Sequence, residues 1–127
     1  MIRLALVPGK GRGLLACEPI AAGTCIERAP AVRLAAADRA AIDGTALFPY
    51  TFVEPDRFGS GGHGCLIAFG SLTFCNHSEH PNAAVRWRED ATGLWAELEA
   101  LRPIQPDEEI TLFYTNISEY SAGDLFI

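Results

Sequence analysis

A ten-residue stretch, FCNHSEHPNA at 74–83, concentrates side chains that could do chemistry directly after the apolar run CLIAFGSLTF. Cys75, His77 and His80 crowd one turn, without a fourth ligand at the spacing of a complete zinc site. His63 is a distant fourth candidate in a glycine-rich loop, so zinc binding is the weaker interpretation. A cysteine–histidine nucleophile is also weak, because two-residue spacing does not make the side chains face each other and no nucleophile-elbow motif is present. A polar loop capped by asparagine and serine remains the plainest alternative.

A second stretch, GKGRG at 9–13, brings closely spaced glycines between two strand-like segments. Glycines let backbone amides and carbonyls approach a ligand without an intervening side chain. The stretch lacks the Gly-Lys-Ser/Thr of a phosphate loop, and the segment after it predicts a strand where a dinucleotide fold needs a helix. A tight hairpin turn is the alternative to a ligand-binding loop.

A third stretch, ALRPIQPDEEITLFY at 100–114, places paired acids after a proline-bracketed turn and before a strand that ends in tyrosine. Paired carboxylates suggest glycoside hydrolysis. However, Glu108 and Glu109 are adjacent, so a strand would point them to opposite faces and they could not flank one bond. A solvated turn is the alternative.

Composition indicates one globular domain: the chain has 127 residues, of which 49% are apolar and 20% charged. The formal net charge of −6 argues against direct nucleic-acid binding and favours a cationic partner. No apolar stretch is long enough to span a membrane, and the start does not resemble a signal peptide. We therefore expect a cytoplasmic protein, or a nuclear one if its source is eukaryotic or viral, and not a secreted one.

The four cysteines have no zinc-knuckle spacing, and we expect them to be small buried hydrophobes in a reducing compartment. Short strand-like runs separated by Gly, Pro and Asp turns dominate the rest of the chain, so the fold class is mostly β. The predicted strands are 2–7, 14–19, 24–34, 45–54, 65–69, 83–89, 94–102 and 110–114. The predicted helix is 35–43, one helical turn begins at 71, and residues 56–64 are a predicted loop.

Taken together, the three stretches resemble the SET domain family of protein lysine methyltransferases. The resemblance is carried by Gly11-Arg12-Gly13 with Pro19-Ile20-Ala21-Ala22-Gly23, by Asn76-His77-Ser78 with Pro81-Asn82, and by Arg102-Pro103-Ile104 with Glu108-Glu109-Ile110-Thr111 and Tyr114. It spans about residues 3–116. The middle of the chain, with Gly44-Thr45-Ala46-Leu47 and Tyr50, also resembles the minimal SET proteins of large DNA viruses.

The resemblance implies a fold of several small curved sheets with short helices and a C-terminal pseudoknot that places the NHS and EEIT segments side by side. It predicts a single SET domain over 1–127, with a core at about 3–116 and a short tail at 117–127. The cysteine-rich segment that follows many SET domains is not seen after Tyr114. We expect the tail, or a homodimer partner as in the viral relatives, to complete the site.

The resemblance also implies S-adenosylmethionine as the methyl donor, S-adenosylhomocysteine as the product, and no metal. It assigns donor binding to Lys10, Gly11 and Arg12, largely through backbone, and to Asn76 and His77. His77 is expected to hold its loop in place more than to do acid–base work.

Tyr114 is the implied catalytic residue, with its hydroxyl near the transferred methyl group. An aromatic substrate channel is assigned to Tyr50, Phe69, Phe113 and Tyr120. Two positions depart from the family pattern: Asp107 stands where glycine usually precedes the paired glutamates, and Phe113 stands where a small or polar residue is usual.

The implied function is methyl transfer to the side-chain amine of lysine in a basic, histone-like protein or peptide. The alternatives are a catalytically weak or inactive SET-fold binding module, and an assembly protein that uses the domain only to oligomerise.

Overall fold

The computed structural model describes residues 1–53 and 64–114, which fold into two four-stranded sheets with little helix. This confirms the mostly β prediction. The strands are β1 (Ile2–Val7), β2 (Gly11–Ala16), β3 (Cys25–Leu34), β4 (Cys65–Ala68), β5 (Asn76–His77), β6 (Ala83–Asp90), β7 (Gly93–Ala100) and β8 (Glu109–Leu112). The helical elements are α1 (Ala36–Ile42) and the 3-10 helices Phe48–Tyr50 and Ser71–Phe74.

The first sheet has the strand order β1-β2-β8-β5, and the second has the order β4-β3-β7-β6. All neighbours are antiparallel except β5 and β8, which pair in parallel. The last described strand, β8, therefore lies between β2 and β5 in the sheet. This insertion brings the two segments of the predicted pseudoknot side by side.

Strand β7 shows how the sequence builds the second sheet. Its residues alternate strictly, with Leu94, Ala96, Leu98 and Ala100 buried in the hydrophobic core that both sheets share. The intervening Trp95, Glu97 and Glu99 face outward and contact arginines. The Arg88 guanidinium lies 2.9 Å from the Glu97 carboxylate, and its hydrogen bond is the main cause that holds the pKa of Glu97 below its usual value. Such exposed pairs each stabilise the fold only slightly.

Two sequence predictions are wrong in this part of the chain. Residues 45–53 do not form a strand: they make turns and the 3-10 helix Phe48–Tyr50, and only Phe52 joins a sheet, through a bridge to Leu66. Pro49 explains this, because it cannot donate to a strand ladder and its fixed φ suits the first turn of a helix. Residue 54 lies outside the described residues, as does most of the predicted loop. Strand β2 begins at Gly11, three residues before the predicted start, so the hairpin loop is shorter than the glycine pattern suggested.

The prediction of four buried cysteines holds for Cys65 and Cys75 and is wrong for Cys17 and Cys25, which are exposed. Cys17 follows the buried Ala16 at the end of β2, and Cys25 precedes the buried Ile26 at the start of β3. Alternation along an extended chain therefore turns both cysteines outward.

Asp107 has a φ of 66°, in the left-handed region that favours glycine. This explains why the family pattern has glycine there, and aspartate is among the residues that tolerate the conformation best. The Asp107 carboxylate also pairs with Arg3, at 3.1 Å, across the exposed edge of the first sheet.

Among the described residues, no helix is long and apolar enough to cross a membrane.

Candidate active site

The site is organised by the short parallel pairing of β5 with β8. Asn76 lies opposite Thr111 and His77 opposite Leu112, and the Ser78 amide donates to the Leu112 carbonyl at 2.8 Å. Residues more than thirty positions apart in sequence thus become neighbours, as the resemblance implied. The NHS segment and the segment that ends at Tyr114 form one surface.

Asn82 ties the start of β6 to β8 through a fully buried side chain. Its Oδ1 accepts from the Thr111 amide at 2.9 Å, and its Nδ2 donates to the Glu109 carbonyl at 2.8 Å and to the Glu108 carboxylate at 3.1 Å. Only 1% of Asn82 is exposed. Sequence analysis named Asn82 only as part of the family motif, and so missed that it holds β8 in place.

Asn76 links the Glu109 carboxylate, which also pairs with Lys10, to the backbone of Arg12. The Asn76 Nδ2 donates to Glu109 Oε2 at 2.7 Å and to the Arg12 carbonyl at 3.3 Å, and the Lys10 ammonium lies 3.5 Å from Glu109 Oε1. Both hydrogens of the Asn76 amide therefore already have acceptors within the protein. A donor-binding role for Asn76 remains a prediction, and it would have to use the backbone or the side-chain oxygen.

The third glycine of GKGRG, Gly13, makes room for this network. A Cβ atom on Gly13 would lie 2.9 Å from Asn76 Nδ2, 2.9 Å from Glu109 Oε2 and 2.7 Å from a Val7 methyl group. Side-chain atoms do not approach that closely without a shift of the structure. The close approach that glycine allows here therefore serves the side chains of Asn76 and Glu109.

His77 fixes the backbone of Tyr114. The Tyr114 amide donates to His77 Nδ1 at 2.9 Å, and the two rings pack with centroids 5.4 Å apart. Since Nδ1 accepts this hydrogen bond, the neutral imidazole carries its hydrogen on Nε2. Nε2 is buried and has no hydrogen-bond partner within residues 1–53 and 64–114. The Glu79 carboxylate is 3.5 Å from Nε2, near enough for an ion pair with a protonated ring but not aligned as a hydrogen bond, and its side chain is 74% exposed.

The Tyr114 hydroxyl donates to the Cys75 carbonyl at 2.5 Å. This bond directs the hydrogen towards β5 and orients the phenol oxygen. Burial raises the pKa of the Cys75 thiol well above its usual value, with Glu27 and Glu109 adding to the effect. A thiol that stays protonated is not a nucleophile, so the nucleophile interpretation of Cys75 fails on physical grounds.

An apolar cavity of about 280 Å³ opens beside Tyr114. Its lining includes aromatic rings from three parts of the chain and, among the described residues, no charged side chain. The aromatic lining residues are Tyr50, Phe52, Trp87, Phe113 and Tyr114.

Within the described part of the chain, no three histidine, cysteine or carboxylate side chains group as metal ligands.

Residues 11–115 match the family described as SET domain. The chain belongs to the SET domain family. A relative among known proteins, the histone-lysine N-methyltransferase of Schizosaccharomyces pombe that is specific for H3 lysine-37, is 35% identical over 106 residues. The match covers 83% of this chain and 67% of that relative. Family and relative together make this SET domain a protein-lysine methyltransferase.

Solved structures agree on the fold. A Plasmodium falciparum protein provisionally named a histone methyltransferase matches with a TM-score of 0.66 and 24% identity, covering 89% of this chain and 91% of that one. A chain of the Chaetomium thermophilum Polycomb Repressive Complex 2, a humanised mutant with a bound inhibitor, matches with a TM-score of 0.69 and 14% identity. That match covers 91% of the SET domain described here and 15% of the other chain.

The structure brings together most of the site residues predicted for this SET domain. Asn76, Lys10 and Arg12 belong to one network of polar contacts. Gly11, at the start of β2, lies between Lys10 and Arg12. His77 contacts Tyr114. Tyr50 and Phe113 line the cavity with Tyr114. Their roles stay predictions.

Two channel predictions fare differently. Phe69 is not among the lining residues: it follows β4, its amide donates to the Pro30 carbonyl, and 63% of it is exposed. The structure therefore places Phe69 apart from the channel side chains. Tyr120 lies outside the described residues.

Sequence reasoning missed four members of the site: Asn82, Glu109, Phe52 and Trp87. Asn82 and Glu109 stood within the quoted motifs and could have been found by asking what a buried polar residue between strands must bond to. Phe52 and Trp87 carried no motif. Trp87 does face inward by strand alternation between Arg86 and Arg88, which was the available signal.

Proposed function

We propose that the protein transfers a methyl group from S-adenosylmethionine to the side-chain amine of lysine in a basic protein. The carrying observation is a cavity lined by Tyr114, whose described lining residues include no charged side chain, together with the oriented Tyr114 hydroxyl. That arrangement offers a mostly apolar path for a long thin side chain and one oriented polar group in its wall.

The cavity suits a neutral amine. A lysine amine has an ordinary pKa of about 10.4 and must lose its proton before it can act as a nucleophile. Mostly apolar walls, whose described residues include no charged side chain, disfavour the ammonium form and lower its pKa. The aromatic rings of Tyr50 and Phe113 hold the methylene stem by apolar contact and tolerate the cationic methylated product.

Tyr114 acts by position. Its ring is held against His77, its amide is fixed by His77 Nδ1, and its hydroxyl hydrogen is directed to the Cys75 carbonyl. The phenol oxygen therefore keeps a fixed direction, and we assign to it the role of directing its negative dipole towards an electron-poor carbon in the cavity. Such fixed alignment of reacting groups is a large part of catalysis in displacement reactions.

His77 supplies the observation that fits a bound donor molecule. A buried N–H group without an acceptor is costly, and it favours a ligand atom that can accept its hydrogen bond. S-adenosylmethionine, when bound, supplies an electrophilic methyl group on a sulfonium sulfur. We assign its binding to His77 and Asn76 together with the backbone of Lys10, Gly11 and Arg12.

The charge of the chain supports a basic substrate. The formal net charge is −6, so long-range attraction brings cationic peptides to the surface. The S. pombe relative is named for a lysine of histone H3. A histone-like tail, rich in lysine and arginine, is therefore the substrate class that we propose.

Titration calorimetry tests the donor site. We expect the wild-type protein to bind S-adenosylmethionine and His77→Ala to bind it at least about tenfold more weakly, because a buried hydrogen bond is lost. His80→Ala is the matched control: His80 is exposed, only three residues along the chain, and its removal should leave the affinity unchanged. Absence of binding by the wild type, even with a basic peptide present, would overturn the cofactor assignment. Equal affinities for wild type and His77→Ala would overturn the role of His77.

A further inference from the structure

The cavity extends well beyond Tyr114. Four of its lining residues, Ala83, Ala84, Val85 and Trp87, lie along β6. A strand rises about 3.3 Å per residue, so the cavity follows β6 for about 13 Å.

The two ends of the cavity differ. At the Ala83 end, the preceding Asn82 is bonded to Thr111 of β8, so this end lies beside the segment that carries Leu112 and Tyr114. At the other end, Trp87 meets the ring of Phe52 edge-on, with centroids 5.4 Å apart. Phe52 is held in turn by backbone hydrogen bonds in both directions with Leu66, at 2.8 and 2.7 Å. The Trp87–Phe52 end is thus a firm aromatic wall, and the hydroxyl of the adjoining lining residue Thr51 already donates to the Phe48 carbonyl.

A lysine side chain does not fill this space. It has five non-hydrogen atoms, and at about 30 Å³ each, the share of a water molecule in the liquid, they occupy roughly 150 Å³. The cavity holds about 280 Å³. A lysine side chain therefore leaves part of the cavity unfilled, and the Trp87–Phe52 end is the part away from the β6–β8 contact made by Asn82.

An extended peptide can place one side chain in each end of the cavity at the same time. Side chains at positions i and i+2 point to the same side of an extended chain and stand about 7 Å apart. That separation suits a cavity about 13 Å long with a lysine at one end. The neighbouring positions, i+1 and i−1, point away from it.

We propose that the Trp87–Phe52 end is a second substrate pocket, which binds an aliphatic side chain two positions from the target lysine. This inference rests on the proposed lysine methylation and adds a sequence preference to it. The preferred substrate is a basic peptide in which leucine or a residue of similar size stands at one of the two positions i+2 and i−2.

Matched synthetic peptides test the proposal with the wild-type protein. Each has one lysine in an Arg-Gly-Ser background, with leucine or serine at a single position from i−2 to i+2, and kcat/KM for methyl transfer is measured. Leucine at i+2 or at i−2 should raise kcat/KM about tenfold or more over serine, the size expected for filling an apolar pocket. Leucine at i+1 or i−1 should change it less than about threefold, since those side chains point away.

Two tryptophan variants link the preference to this end of the cavity. Trp87→Ala enlarges the pocket, so the preference should shift from leucine towards phenylalanine at the same position, a gain that misfolding would not produce. Trp95→Ala is the matched control: Trp95 is also half-buried, but it lies on the outer face of the sheet under the Arg28 guanidinium, 3.8 Å from the ring centroid. The Trp95→Ala variant should keep the same preference for leucine as the wild-type protein.

The outcomes separate the two proposals. Equal methylation of all the peptides by the wild type would overturn the second pocket while supporting lysine methylation. A preference that Trp87→Ala leaves unchanged would also overturn it. Methylation of no lysine peptide or protein would overturn the proposed function and the pocket together.

Discussion

Replacing Tyr114 with phenylalanine is expected to lower kcat for methyl transfer about a hundredfold, the size of effect seen when one preorganised polar group is removed from a reacting centre. The substitution deletes the oxygen that the Cys75 carbonyl orients and leaves the ring against His77. The fold should lose only about 1 kcal/mol, the worth of one hydrogen bond. The measurement is kcat on a basic protein substrate, with the donor affinity determined on the same samples.

A hydroxyl elsewhere in the chain provides the control. Thr92→Val removes a hydrogen-bonded hydroxyl from the turn between β6 and β7, where it contacts Asp90 and Trp95. Its kcat should match that of the wild type. A Tyr114→Phe protein whose kcat stays within about threefold of wild type would show that the hydroxyl is not part of the reacting centre.

Replacing Asn82 with alanine is expected to lower the free energy of unfolding by about 3 kcal/mol. The change leaves the Thr111 amide and the Glu109 carbonyl without their partner in a buried place, and each unpaired buried group costs about 1–3 kcal/mol. Denaturant unfolding followed by circular dichroism measures the effect. Gln105→Ala, on an exposed side chain, should change the free energy by less than about 0.5 kcal/mol.

Asn82→Asp separates hydrogen bonding from packing, because the shape is kept. Aspartate still accepts from Thr111 but loses the Nδ2 donor, and its charge faces the Glu108 carboxylate and the Glu109 carbonyl. We expect a destabilisation that is relieved as the pH falls and the new carboxyl is protonated. Unfolding free energies within about 1 kcal/mol of wild type for both variants would contradict the role of Asn82 as the tie between β6 and β8.

The sequence was sufficient to predict the pieces of the site that lie in motifs. Asn76, His77 and Tyr114 could be placed together because the resemblance carried a long-range pairing that local patterns do not contain. The strand predicted at 94–102 was likewise found, as β7. These predictions succeed where the residue type alone determines the environment.

Other features depended on contacts between distant segments. From the sequence alone, Glu109 would be predicted to be a solvated acid, yet its position in β8 places it in contact with Asn76 and Lys10. The third glycine of GKGRG, Gly13, would be predicted from the sequence to form a turn, yet its role depends on side chains contributed by β5 and β8. The aromatic contact of Phe52 with Trp87 joins a non-strand segment to β6, and no periodicity predicts it. Tertiary packing decides such cases, and a single sequence does not display it.

The measurement closest to the central claim is mass spectrometry of a basic protein panel, including histone H3, after incubation with the protein and S-adenosylmethionine that carries a deuterated methyl group. Lys10 is the single lysine of the chain, and it is paired with Glu109, so self-methylation would hardly confuse the result. We expect deuterated methyl groups on lysine side chains of at least one basic substrate, and little or none with Tyr114→Phe. Donor binding without methyl transfer to any lysine would contradict the account and favour a SET-fold binding module.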